Sequence, residues 1–217
     1  MKRWQGILIW GMSLALIGPA CQPNPLAEGQ RRMAAGEYEK AVETFQAVRD
    51  QHPDDPRVYN ELGLAYAKQE KWEDAVGNYQ KALQLNPEFP EAHFNLGTVY
   101  LRQMALPLAQ KELEAAIQQR PDYVKAYNNL GLNYMNMGLF EEAEKNLKKA
   151  IELDPENSVY KDNLEYCQAL AKSNEESLKR YREERKKEKE GQQPTEGSGQ
   201  KPPAPAPAEK APPAPKP

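Results

Sequence analysis

Between residues 24 and 171 apolar side chains recur at spacings of three and four, break off, and recur again. Such spacing lays them along one face of an α-helix. From Pro56 onward, Tyr59, Leu62 and Tyr66 form one stripe, and Ala75, Tyr79 and Ala82 form a second. The stripes themselves repeat. Gly29, Gly63, Gly97 and Gly131 stand 34 residues apart, as do Ala41, Ala75, Ala109 and Ala143, and Pro53, Pro87, Pro121 and Pro155. One period kept by three residue types marks stacked structural repeats. The pattern predicts an all-α chain of four helix–turn–helix pairs over residues 22–157. The glycine lets helices approach where a Cβ would hold them apart, and the alanine does the same at the crossing within a pair. The proline stops the second helix. A lone pair cannot bury its stripes, whereas at least about three stacked copies can. The last copy needs a cap with a polar outer face. Residues 158–171 supply one, with Val159, Leu164, Cys167 and Leu170 expected inward and Lys161, Asp162 and Glu165 outward.

These positions are similar to those of the tetratricopeptide repeat. That family carries an aromatic at position 4, Leu at 7, Gly at 8, Tyr at 11, Ala at 20, a large apolar residue at 24, Ala at 27 and Pro at 32. The copy from Pro56 has Tyr59, Leu62, Gly63, Tyr66, Ala75, Tyr79, Ala82 and Pro87. The next has His93, Leu96, Gly97, Tyr100, Ala109, Leu113, Ala116 and Pro121, and the last has Tyr127, Leu130, Gly131, Tyr134, Ala143, Leu147, Ala150 and Pro155. The first copy keeps Gly29, Ala41, Phe45 and Pro53 but has Glu28 and Arg32 at positions 7 and 11. The resemblance implies a right-handed superhelix whose concave groove is lined by the first helix of each pair. It implies a protein or peptide partner in that groove. Positions 2, 5, 6, 9 and 13 then place Arg57, Asn60, Leu64, Lys68, Phe94, Asn95, Thr98, Arg102, Lys125, Asn128, Asn129 and Leu132 at the peptide site. Asparagine amides can bond both the N–H and the C=O of an extended ligand. Lys68, Arg102 and Lys125 suit a carboxylate. The chaperone-tail clamp of the family is matched at only two of its five positions, Asn95 and Lys125, so that ligand class is not expected.

The two ends differ from the array. Lys2 and Arg3 precede an apolar run, Ile7 to Ile17, of the length export signals use. Gly18-Pro19-Ala20-Cys21 follows and resembles a bacterial lipoprotein signal, with Cys21 as the lipidated residue. The expected location is the cell envelope: an outer-membrane lipoprotein facing the periplasm. An inner-membrane signal anchor and a secreted form remain as alternatives. Residues 158–190 read as the cap continued by a charged, solvent-exposed helix. Residues 191–217, with nine prolines and five alanines, read as a disordered tail.

Charge follows the same division. The net −3 of the chain averages an acidic array of −8 (residues 22–171) with ends of +2 and +3. That balance does not suit a nucleic-acid binder. The two histidines and two cysteines form no spacing for a metal, a cofactor or nucleophilic catalysis, so neither a cofactor nor an enzyme is expected. The expected function is a membrane-tethered interaction scaffold that assists an envelope assembly such as a pilus or secretion machine. A self-associating organiser, paired through residues 173–190, is the other reading.

Overall fold

The computed structural model describes residues 25–191, and all of its regular structure is helical. The signal-like segment, Cys21 and the proline-rich residues 192–217 lie outside the described residues. The order is α1 (Pro25–Ala34), α2 (Tyr38–Gln51), α3 (Pro56–Lys68), α4 (Trp72–Leu85), α5 (Pro90–Arg102), α6 (Leu106–Gln119), α7 (Val124–Asn136), α8 (Phe140–Leu153) and α9 (Ser158–Gly191). Each helix packs on its chain neighbours, and α1, α3, α5, α7 and α9 also touch one another in turn. The result is a solenoid of antiparallel pairs with the odd-numbered helices side by side.

The repeated residues explain the pairing. A Cβ on Gly63 would stand 2.7 Å from the Tyr79 ring, and one on Gly97 would stand 2.9 Å from Leu113 Cγ. Position 8 is therefore where the residue at position 24 crosses. Tyr79, Leu113, Leu147 and Phe45 are buried at that crossing. Tyrosine at position 11 is tied to the preceding pair by a glutamine amide. Gln46 donates to Tyr66 Oη at 3.1 Å, and Gln80 and Gln110 donate to Tyr100 and Tyr134 at 3.2 Å. The residue before each position-32 proline cannot stay helical, because the proline ring crowds its backbone. His52, Asn86, Arg120 and Asp154 accordingly end their helices with ψ of 65, 96, 91 and 81°.

Position 4 closes the joint between repeats. Tyr59 donates its hydroxyl to the Pro53 carbonyl at 3.0 Å. His93 occupies the same place, with Nε2 at 3.0 Å from the Pro87 carbonyl and Nδ1 at 2.7 Å from Glu112 Oε2. Both partners accept, so only the doubly protonated ring satisfies both. Burial alone would lower the imidazole pKa, but the Glu112 carboxylate and the Pro87 carbonyl more than offset it, and the net shift is upward. A raised pKa means that the folded state binds this proton more tightly. Its contribution is full below the ordinary value of 6.5 and is lost as pH rises through the raised value. Melting curves between about pH 5.5 and 8.5 should therefore show a downward trend that His93→Gln flattens. Superimposable profiles would contradict the charged pair.

α9 departs in part from the expectation of the sequence. Val159, expected inward, is 46% exposed, while Tyr160 and Asn163 are buried. The period of 34 continues into this helix: Val58, Ala92, Ala126 and Tyr160 are all buried, and so are Ala65, Val99, Asn133 and Cys167. α9 thus begins as the first helix of a fifth pair, and among the described residues no second helix follows it. From Lys172 to Lys187 every side chain is exposed. Among the described residues no helix is long and apolar enough to cross a membrane.

Candidate functional site: the concave groove

Two adjoining depressions, of about 710 and 590 Å³, lie where the odd-numbered helices face inward. They share Leu64, Phe94, Asn95, Lys125 and Tyr160. The larger adds Lys68, Thr98, Arg102, Asn128 and Asn129 from the expected set, and the smaller adds Asn60.

Arg57 and Leu132 line neither depression. Arg57 is instead held by Asp55, with guanidinium nitrogens 2.6 to 3.2 Å from the carboxylate. Leu132 is 3% exposed and packs in one apolar cluster with Met135 and Cys167, against Leu164 and Leu170 of α9. The half-repeat covers the apolar groove positions of the last pair, so only the central pairs leave theirs open.

The asparagines have structural partners. Asn95 Nδ2 donates to Asn60 Oδ1 at 2.9 Å, and Asn163 Nδ2 donates to Asn128 Oδ1 at 2.8 Å. Both pairs link position 5 of one repeat to position 6 of the next. Asn129 Nδ2 donates to Thr98 Oγ1 at 3.0 Å, linking positions 6 and 9 of neighbouring repeats, and Gln30 of the first pair donates to Glu61 of the second at 3.0 Å. Asn60, Asn128 and Asn129 are buried. Their first task is to join neighbouring helices along the groove floor. Asn95 and Thr98 remain half-buried.

The cations are in a different state. Lys68, Arg102 and Lys125 are exposed, and no carboxylate among the described residues lies within ion-pair distance of them. Arg102 sits 5.9 Å above the Trp72 ring. At the other end Arg120 lies 4.7 Å from the Tyr123 ring and pairs with Glu91. Phe94 and Tyr123 meet at 4.9 Å between ring centres.

The groove wall also holds Trp72, Arg120, Tyr123, Asn157 and Tyr160, which a lining drawn only from first helices does not include. Trp72 opens a second helix, Tyr123 sits in an inter-repeat turn, and Tyr160 belongs to the cap. The position-3 period, continued one step past Ala126, points to Tyr160 as a buried residue, and its place in the groove wall comes only from the tertiary structure.

Tetratricopeptide-repeat family models match residues 26–77, 65–103 and 124–157. The chain belongs to the tetratricopeptide-repeat family. Its helical repeats form a protein-interaction scaffold. Among solved structures, MamA 41-end from Desulfovibrio magneticus RS-1 is similar with a TM-score of 0.63 and 25% identity, over 78% of this chain and 96% of that one. The MamA RS-1 ArsTM double mutant gives 0.62 and 28%, over 75% and 94%. The first TPR of Spaghetti (RPAP3), bound to the HSP90 peptide SRMEEVD, gives 0.52 and 30%, over 54% and 94%. A comparison with curated proteins finds no match.

Proposed function

We propose that this tetratricopeptide-repeat protein holds an extended peptide segment of a partner in the groove between Leu64 and Tyr160. The observation that carries the reading is the set of three exposed cations without acidic partners, Lys68, Arg102 and Lys125, beside Phe94 and Trp72. Cations left unpaired on an acidic array offer donors to ligand carbonyls or carboxylates. The aromatic rings offer apolar contact at low entropic cost. The peptide-bound RPAP3 repeat supports this use of the fold.

The test is capture of the partner by the full chain in its own membranes. Lys68→Ala, Arg102→Ala and Lys125→Ala together should weaken capture at least about tenfold, since bonds to charged groups contribute about 1.5–3 kcal/mol each. Arg57→Ala should change nothing, because Arg57 points to Asp55. Undiminished capture by the triple variant would sink the reading.

The tether belongs to the same proposal. The lipoprotein-like Gly18-Pro19-Ala20-Cys21 after the apolar run supports anchorage through an acylated Cys21 at the outer membrane, facing the periplasm. The short link from Cys21 to α1 would hold the array close to that surface and leave the groove available to an envelope assembly. Labelled palmitate should enter the parent chain and not Cys21→Ala, which should migrate at the size of the uncleaved precursor. A parent chain that takes up no label would leave the uncleaved signal anchor as the reading.

A further inference from the structure

The groove has a chemical bias. Five aromatic side chains line it: Trp72, Tyr79, Phe94, Tyr123 and Tyr160, of which Tyr79 and Tyr160 are buried while Trp72, Phe94 and Tyr123 stay half-buried. Its open cations, Lys68, Arg102 and Lys125, are donors only. Aromatic rings with neighbouring donors are what a polyproline-type ligand requires. Proline rings pack flat on aromatic faces, and a proline offers a carbonyl but no N–H. A ligand rich in proline therefore asks for donors and little else. It also arrives already extended, so less ordering entropy opposes binding.

The chain carries such a segment. Residues 202–217 read PPAPAPAEKAPPAPKP, eight prolines in sixteen residues. Lys210 and Lys216 outweigh Glu209 by one charge, and Asp122 and Asp154 stand at the Tyr123 end of the groove. The array as a whole is acidic, whereas residues 172–217 are net basic.

The connection has the needed length. α9 packs on α8 and α7, loses contact after Ala171, and runs on to Gly191. That overhang of about 20 residues is about 30 Å long at about 1.5 Å per residue. A return of about 30 Å needs about 10 residues at about 3.1 Å each in extended form. Residues 192–201 cover the return to Ala171, and residues 202–217, about 50 Å long at about 3.1 Å each, are left to reach from there into the groove.

We infer that the groove is occupied by the chain's own proline-rich segment, residues 202–217. The inference rests on the reading of the groove as a peptide site. Tethering gives the segment an effective concentration on the order of millimolar, so even a weak site fills. A partner must displace it, and the segment sets the threshold a partner has to exceed.

The full chain with a photo-cross-linking phenylalanine analogue in place of Leu64, which borders both depressions, tests this. Irradiation should give a product of monomer mass whose cross-linked peptide lies within 202–217. Replacing the eight prolines by serine, at unchanged length and charge, should lower its yield roughly tenfold. The helical circular dichroism of the array should stay unchanged. Absence of the tail product, or an equal yield from the serine chain, overturns the inference. Partner capture at position 64 without any tail product would overturn the tail alone and leave the groove reading standing. A probe that captures neither tail nor partner would overturn both.

Discussion

Gly131→Ala is expected to destabilise the array by about 1–3 kcal/mol, the range for forcing an extra carbon into a packed site. In an ordinary helix interior the same change stabilises by about 1 kcal/mol, because alanine loses less backbone entropy. The sign reverses because of what surrounds Gly131. A Cβ there would stand 2.7 Å from Leu147 Cγ, 2.9 Å from its Cδ2 and 3.2 Å from the Ala143 carbonyl oxygen. Leu147 is fully buried and cannot swing away, and the carbonyl belongs to the backbone of α8. α7 and α8 would have to separate. Gly77 supplies the contrast. It lies within α4, is exposed, and a Cβ added there would meet nothing within 4 Å. Gly77→Ala should therefore raise stability by about 0.5–1 kcal/mol. Urea unfolding of both variants checks the pair. A Gly131→Ala protein as stable as the parent would mean that position 8 is not a steric contact.

Asn128→Ala should cost about 2–3 kcal/mol and loosen the start of α9, the upper part of the range of about 1–3 kcal/mol for stranding a buried polar group. Asn163 Nδ2 donates to Asn128 Oδ1 at 2.8 Å, and the two side chains are buried, at 2% and 5% exposure. The alanine leaves the Asn163 amide buried without its acceptor. It also removes the 3.3 Å bond from Asn128 Nδ2 to Asn129 Oδ1. Asn163→Ala alone should cost less, and the double replacement should cost less than the two singles added, with a coupling of about 0.5–3 kcal/mol. Hydrogen exchange localises the effect: amides at the start of α9 should lose protection before those of α3 and α4. Additive losses, or loosening spread evenly over the array, would refute a specific bond between repeats.

Much of this architecture is legible from residue spacing. Gly63 and Tyr79 recur 34 residues later as Gly97 and Leu113, and again as Gly131 and Leu147. A small residue facing a large one at a fixed offset already describes a helix crossing. The groove is legible only in part. Lys68, Arg102 and Lys125 stand in it as expected, because a helix face follows directly from spacing. The asparagines look like ligand contacts on a single helix, because one helix cannot show what lies beside it. Once α3 and α5 are adjacent, Asn95 has Asn60 within 2.9 Å, and the amide is engaged before any ligand arrives.

The residues by themselves determined the period, the all-helical class, the pairing of helices and the turn at each proline, because these depend on contacts within about one repeat. They also determined the composition of both ends. Tertiary structure alone decided which faces stay open. It buried Leu132 beneath α9, left Val159 exposed at the groove while burying Tyr160, and gathered Trp72, Tyr123 and Tyr160 from a second helix, a turn and the cap into the wall of one groove. The physical reason is that accessibility belongs to the stack: a residue is open or covered according to the next repeat, and where the array ends, the last half-repeat covers what another pair would have left exposed.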